Sequence, residues 1–172
     1  MPFDTNHNTL SNTGEYIEGG DILISEKTIC LGSSPHRYHA TNRKGISWFR
    51  ERLPGLDFII IDIGPGFHHL DMAVSIVNRR TILCSEDVVI RESPYLDAEI
   101  IKIPAKEARS GVINGLSISE DCYITPNLNG KSSSKIVTEL ESRGIEVIEI
   151  DYAHHLMLMG GIRCSTAPIL RG

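Results

Sequence analysis

The sequence predicts an α/β fold in which one strand–strand–helix–strand unit is used repeatedly, in a propeller-like arrangement. Three observations predict it. That order of elements occurs three times at a period of about fifty residues. Each unit opens on two short apolar runs joined by a polar turn: Glu26-Lys27, Asn78-Arg79-Arg80 and Glu120-Asp121. In the first and third units a segment of helical period leads into a closing Ile- or Val-rich run. The units are not alike in sequence, so the inference rests on order and spacing.

In chain order, residues 1–15 are rich in Asn, Thr, Ser and Gly and read as a flexible arm. Residues 21–25 and 28–31 read as strands. Residues 41–52 read as a helix, with Ile46, Phe49 and Leu53 at helical spacing and Pro54-Gly55 as its stop. Residues 57–62, DFIIID, suit a strand buried on both faces. The second unit gives strands at 72–77, 81–84 and 99–103, with no clear helix within 85–96. The third gives strands at 115–119 and 122–125, a helix over 133–143 and a strand at 145–150. Ser132 to Ser134 supply an N-cap and Gly144 suits C′. Residues 160–170 read as a closing strand outside the three units.

At 172 residues and 41% hydrophobic, the chain is long enough for one domain. A net charge of −5 without a basic run argues against nucleic acid as a partner. No apolar run approaches a membrane span, and the polar N-terminus is neither a signal peptide nor a transit peptide. These features set the expectation of a cytoplasmic protein with no membrane partner. Cys30, Cys84, Cys122 and Cys164 form no CxxC pair, which disfavours disulfides and a structural zinc site. The first three lie in or beside apolar runs and read as small buried hydrophobes. Cys164 differs, following Gly160-Gly161-Ile162-Arg163 and preceding Ser165 and Thr166.

Three segments carry chemistry. Glu18-Gly19-Gly20-Asp21 sits before a strand, where glycines permit a tight turn and close approach of a ligand. On its own it also reads as a turn with two solvated acids. His68-His69-Leu70-Asp71 follows Gly64-Pro65-Gly66. In an extended segment His69 and Asp71 would share a face. A surface loop, a His68/Asp71 pair or a His-His metal site are the alternatives, but no further local ligand stands at motif spacing. His154-His155, before Leu156–Met159, reads as a transition from loop to core. The third segment is the one around Cys164. A cysteine, a histidine and acids supply a nucleophile, a proton carrier and an anchor for a cationic substrate.

In this order and spacing the three segments resemble those of the guanidino-group modifying enzymes. These are the arginine and agmatine deiminases, dimethylarginine dimethylaminohydrolases, arginine dihydrolases and amidinotransferases. The resemblance runs from about Tyr16 to Arg171. It implies a pentein fold, with five strand–strand–helix–strand blades around a pseudo-fivefold axis. It also implies hydrolysis of the guanidinium of arginine or a related guanidine through a covalent cysteine amidino-thioether, without cofactor or metal. Amidino transfer to an amine uses the same motifs. A non-catalytic guanidine-binding subunit is the alternative from another class.

Carried over position by position, Cys164 matches the nucleophile and His69 the general acid/base. Glu18 and Asp71 match the carboxylates that grip the guanidinium, with Asp21 beside them, and Asn114 matches a residue near the site. Asp71 argues for an unmethylated guanidine. Two departures stand out. The resemblance implies two further blades before Glu18, so the expected fold is N-terminally incomplete: residues 16–172 give three blades plus a closing strand. The missing blades would come from a second polypeptide, or self-association into a homo-oligomer would cover the open edges. A truncated, poorly catalytic chain is the third reading. Second, Arg37 lies three residues ahead of Ala40-Thr41-Asn42, where family members place an arginine that holds a substrate carboxylate directly before Thr-Asn. Arg37 is a candidate for that role through an inserted loop, and equally reads as a solvated loop arginine.

Overall fold

In the computed structural model the residues described are 14–34, 41–90, 97–128, 134–158 and 160–167. Residues 1–13 of the expected arm, Arg37, and parts of the 85–96 and 160–170 segments lie outside them. Three three-stranded sheets follow one another along the chain: β1 (Ile22–Ser25), β2 (Thr28–Ser33) and β3 (Asp57–Asp62); β4 (Val74–Asn78), β5 (Thr81–Ser85) and β6 (Glu99–Ile103); β7 (Leu116–Ser119), β8 (Cys122–Asn127) and β9 (Glu146–Asp151). In each, the first pair is antiparallel and the second parallel. A tight hairpin suffices for the first pair, and the parallel return needs a crossover. Helix α1 (Arg43–Arg52) makes that crossover in the first unit and α4 (Ser134–Glu141) in the third. Three further helical turns are α2 (Leu70–Ala73), α3 (Ala105–Ala108) and α5 (Ala153–Met157).

The alternation of side chains along β2 divides its burial between two layers. Ile29 and Leu31 pack with Ile46, Phe49 and Leu53 of the α1 segment. Cys30 faces the other way, in register with Leu23 and Ile59, into the core shared by all three sheets. That core takes Val74, Ile82 and Leu83 from the second sheet and Tyr123, Ile136 and Leu140 from the third unit. The first strands β1, β4 and β7 lie beside one another, which makes the arrangement propeller-like. Ile24 and Ile60 on the first sheet and Ile118, Ile148 and Ile150 on the third are exposed. Among the described residues no helix is long and apolar enough to cross a membrane.

Several boundaries differ from expectation for local reasons. The first helix starts at Arg43, not 41, because Asn42 is its N-cap and accepts from Gly45 N at 2.8 Å. Asp21 belongs to a 3-10 turn, Gly19–Asp21, instead of the first strand; its amide donates to Glu18 O at 3.0 Å. The fourth strand starts at Val74 because Leu70–Ala73 coil into α2. Within 160–167 there is a 3-10 turn, Arg163–Ser165, where a closing strand was expected. The Ile162 and Arg163 amides both donate to Asn114 O, at 3.1 and 3.4 Å, which curls this segment around one carbonyl. His154 and His155 lie in α5, and Met157 and Leu158 beyond them are exposed at 79% and 86%, so this stretch does not enter the core. Gly144 ends α4 as expected, with φ at +75°.

Candidate active site

The three motif segments meet at one end of the first strands. Glu18 and Asp21 directly precede β1, His69 and Asp71 directly precede β4, and Asn114 precedes β7. Hydrogen bonds sew the segments together. Asp21, fully buried, accepts from Leu70 N at 3.0 Å through Oδ1 and from Thr41 N at 3.4 Å through Oδ2. Asn114, also fully buried, donates through Nδ2 to Asp71 O at 3.1 Å and to Cys164 Sγ at 3.3 Å. Its Oδ1 accepts from Cys164 N at 3.3 Å. Glu18 is fixed through its backbone, whose amide donates to Thr41 Oγ1 at 3.0 Å.

Two glycines make the close approaches possible. A Cβ on Gly20 would lie 2.6 Å from His69 Cγ, so the imidazole rests against bare backbone. A Cβ on Gly161 would lie 2.1 Å from Asn114 Oδ1, so only glycine lets the cysteine turn sit on Asn114.

Asp71 is placed by the first turn of α2 and not by strand alternation, because the bond from Leu70 N to Asp21 starts the coil. His69 is the extended N-cap residue ahead of it, with φ −140° and ψ 166°. The Cys164 thiol donates to Asp71 Oδ2 at 3.5 Å. The His69 Nε2 to Glu18 Oε2 distance is 3.9 Å, and both side chains are partly exposed. Asp71 is only 3% exposed, and its Oδ1 is buried without a hydrogen-bond partner.

Burial sets the resting electrostatics. It raises the Asp71 carboxyl, and the Cys164 thiol, His69, Arg163 and Asn114 pull only partly in the other direction. Burial also raises the exposed-edge thiol of Cys164, and the neighbouring Asp71 charge adds to the rise. The resting sulfur is therefore held in its protonated form. The other thiols are not placed for chemistry: Cys30 is pushed up to about 11 by burial, Cys84 is raised by burial, and Cys122 is half-buried in β8.

Of the residues singled out in the sequence, Cys164, Asp71 and Asn114 are in direct contact, and His69 and Glu18 stand as a pair beside them. Both oxygens of Asp21 are engaged by main-chain amides beneath the surface, so it links segments. Arg37 lies outside the described residues. Sequence reasoning passed over Thr41, which is 1% exposed and pins Glu18 and Asp21, and Arg163, which reaches Ile22 O at 3.2 Å and lies with Nε 4.0 Å from Asp71 Oδ2. The one signal for Arg163 was its place next to the cysteine. Among the described residues no group of three or more His, Cys, Asp or Glu side chains is arranged to hold a metal ion.

No protein-family model matches the chain. An uncharacterized protein of Bacillus subtilis, YkgA, is 28% identical over 159 residues, which cover 91% of this chain and 53% of YkgA. The chain spans about half the length of the curated relatives it matches. Among solved structures, SxtG, an amidinotransferase from Microseira wollei in the saxitoxin biosynthetic pathway, superposes with a TM-score of 0.74 at 19% identity, covering 88% of this chain and 47% of SxtG. DDAH from Pseudomonas aeruginosa, solved with citrulline, gives a TM-score of 0.69 at 20% identity over 88% of this chain and 55% of that one. This chain has the pentein fold, the fold it shares with amidinotransferases, dimethylarginine dimethylaminohydrolases and arginine dihydrolases.

Proposed function

We propose that the chain carries the cysteine site of a guanidine-modifying enzyme and hydrolyses the guanidinium of arginine or a related guanidine. The observation that carries this reading is the buried, unpartnered Oδ1 of Asp71 beside the Cys164 thiol. A buried carboxylate oxygen without a donor costs stability, and a planar cation with paired N–H groups is the ligand that satisfies it. Glu18 supplies a second carboxylate on the open side of the site.

The steps follow from these groups. A bound guanidinium neutralises Asp71 and adds a positive charge, which lowers the thiol and favours thiolate. Cys164 passes its thiol proton to His69 as Sγ bonds to the guanidinium carbon, oriented by the carboxylates. The bond from that carbon to the leaving amine breaks as His69 gives its proton to the nitrogen. The amidino group remains on sulfur as a cationic thioether. His69 then takes a proton from water, whose oxygen bonds to the same carbon. The C–S bond breaks, and the last hydroxyl proton passes to the released amine. Guanidinium and water become urea and ammonium groups.

Amidino transfer is the second reading, favoured by the exposure of Cys164. An amine reaching the thioether from solvent would take the amidino group in place of water. Further blades, from the same polypeptide, another one or a second copy, are part of this proposal. The exposed isoleucines on the first and third sheets and the half-length match to relatives support it.

The test is intact mass after incubation with a haloacetamidine, beside Cys164→Ala. One label at Cys164, blocked by arginine or agmatine, is the expected result. Equal labelling of all four cysteines, or a label that neither guanidine blocks, would overturn the reading for this chain. A labelled, guanidine-binding protein without turnover of either kind would identify a binding subunit.

A further inference from the structure

Arg163 is the one cation in contact with the candidate site among the described residues. Its side chain is about a quarter exposed, and it stands next to the nucleophile candidate in sequence. Its Nη2 donates to Ile22 O at 3.2 Å, tying the cysteine turn to the start of β1 across 141 residues. Its Nε stops 4.0 Å from Asp71 Oδ2, beyond hydrogen-bond reach. Asp71 Oδ2 takes the Cys164 thiol instead, and Oδ1 takes nothing. The anchor on Ile22 therefore holds a positive charge behind the carboxylate without filling the positions a ligand would use. An arginine free to move closer would form the bidentate pair itself and exclude a guanidinium.

We propose that Arg163 is a positioning residue, a built-in counter-cation that keeps the buried Asp71 carboxylate available to an incoming guanidinium. The proposal rests on the guanidine reading of the site and deepens it. The groups facing Asp71 are His69 on its own segment, Cys164 and Arg163 on the 3-10 turn, and Asn114 ahead of β7; Asp21 and Glu18 lie one step away through Leu70 and His69. Of these, Arg163 is the permanent cation. It works against the burial that favours the neutral carboxyl.

The experiment uses Arg163→Gln, which keeps a donor for Ile22 O and loses the charge, and Arg163→Lys, which keeps the charge. Two readouts are taken across pH: the titration of the Asp71 carboxyl carbon by NMR, and the affinity for agmatine. Arg163→Gln is expected to move the Asp71 titration to higher pH. It should also weaken agmatine about threefold to tenfold at a pH within the transition, as for one screened charge. Arg163→Lys is expected to restore both. A purely structural link to Ile22 would lower the melting temperature and leave the titration in place. An Asp71 titration in Arg163→Gln that matches wild type overturns the proposal. If Arg163→Gln does not fold, the Lys variant decides: a titration displaced from wild type despite its charge overturns it, and one kept in place upholds it. Wild type that binds no guanidine would sink the reading of the site, whereas the carboxyl titration would still report on Arg163.

Discussion

Replacing Asp71 by Asn is expected to weaken guanidine binding and strengthen the fold at once. The carboxylate is 3% exposed with one oxygen unpartnered. An unsatisfied buried polar group costs about 1–3 kcal/mol. The amide leaves an atom in the same place without the charge, so we take the lower end, about 1 kcal/mol recovered. For a chain of this size that is a rise of about 2–4 °C in Tm. The sign with pH follows from the raised Asp71 carboxyl. Its stabilising, protonated form is fully present below the unfolded carboxyl range, about 3.9, and is lost as pH rises through the higher native value. Wild type and variant should therefore melt together in acid and separate above the native value, with the variant higher. Binding moves the other way. Loss of a hydrogen bond to a charged group, about 1.5–3 kcal/mol, weakens agmatine roughly 10- to 150-fold. Scanning calorimetry across pH and titration calorimetry with agmatine measure the two. A variant less stable than wild type at neutral pH, or a gap that widens toward acid, would refute the reasoning.

Asn114→Ala strips a donor from Asp71 O and the acceptor from Cys164 N, and should cost about 2 kcal/mol in urea denaturation while slowing haloacetamidine labelling. Gly161→Ala forces a Cβ onto Asn114 Oδ1 and should cost about 1–3 kcal/mol, with labelling lost. Gly20→Ala meets a partly exposed histidine ring that has room to move, so it should reduce turnover with a smaller change in melting temperature. Iodoacetamide at neutral pH should reach Cys164 first and Cys122 next. Cys30 and Cys84 should stay unmodified until the protein unfolds, which peptide mass mapping would show.

What the sequence made legible was local. Short apolar runs bounded by a polar turn or a helix stop gave β3 and β6 to the residue and placed β5, β8 and β9 to within two residues of their ends, although β3 alternates in burial where burial on both faces was expected. Errors gathered where a distant partner overrides the local pattern. Alternation put His69 and Asp71 on one face of a strand, but a carboxylate 49 residues away captures the Leu70 amide and starts a helical turn. The Gly160–Thr166 stretch looked extended, but the Asn114 carbonyl curls it. The candidate site shows the same division. Residue types and motif order pointed to Cys164, His69, Glu18 and Asp71, and Asn114 came only with the family resemblance. Nothing local distinguished Asp21, a buried link, from Glu18, an open acid three positions earlier. Thr41 and Arg163 act through main-chain atoms far away in sequence, which no local pattern reports.

The repeat itself explains why the site forms where it does. Each unit contributes the residues that precede its first strand, and those strands lie side by side, so three equivalent chain positions converge. Their backbone amides and carbonyls are not all taken up by sheet ladders there, and side chains complete them: Asp21 for Leu70, Asn114 for Asp71 and Cys164. The polar cross-links therefore serve packing first and put the thiol and the carboxylate side by side as a consequence. That contact also governs reactivity. With no cation bound, burial first and the Asp71 charge second raise the Cys164 thiol and keep the sulfur protonated. On the proposed reading, a guanidinium would neutralise the Asp71 part of that effect, so the carboxylate that binds the ligand would also favour the thiolate once the ligand is in place.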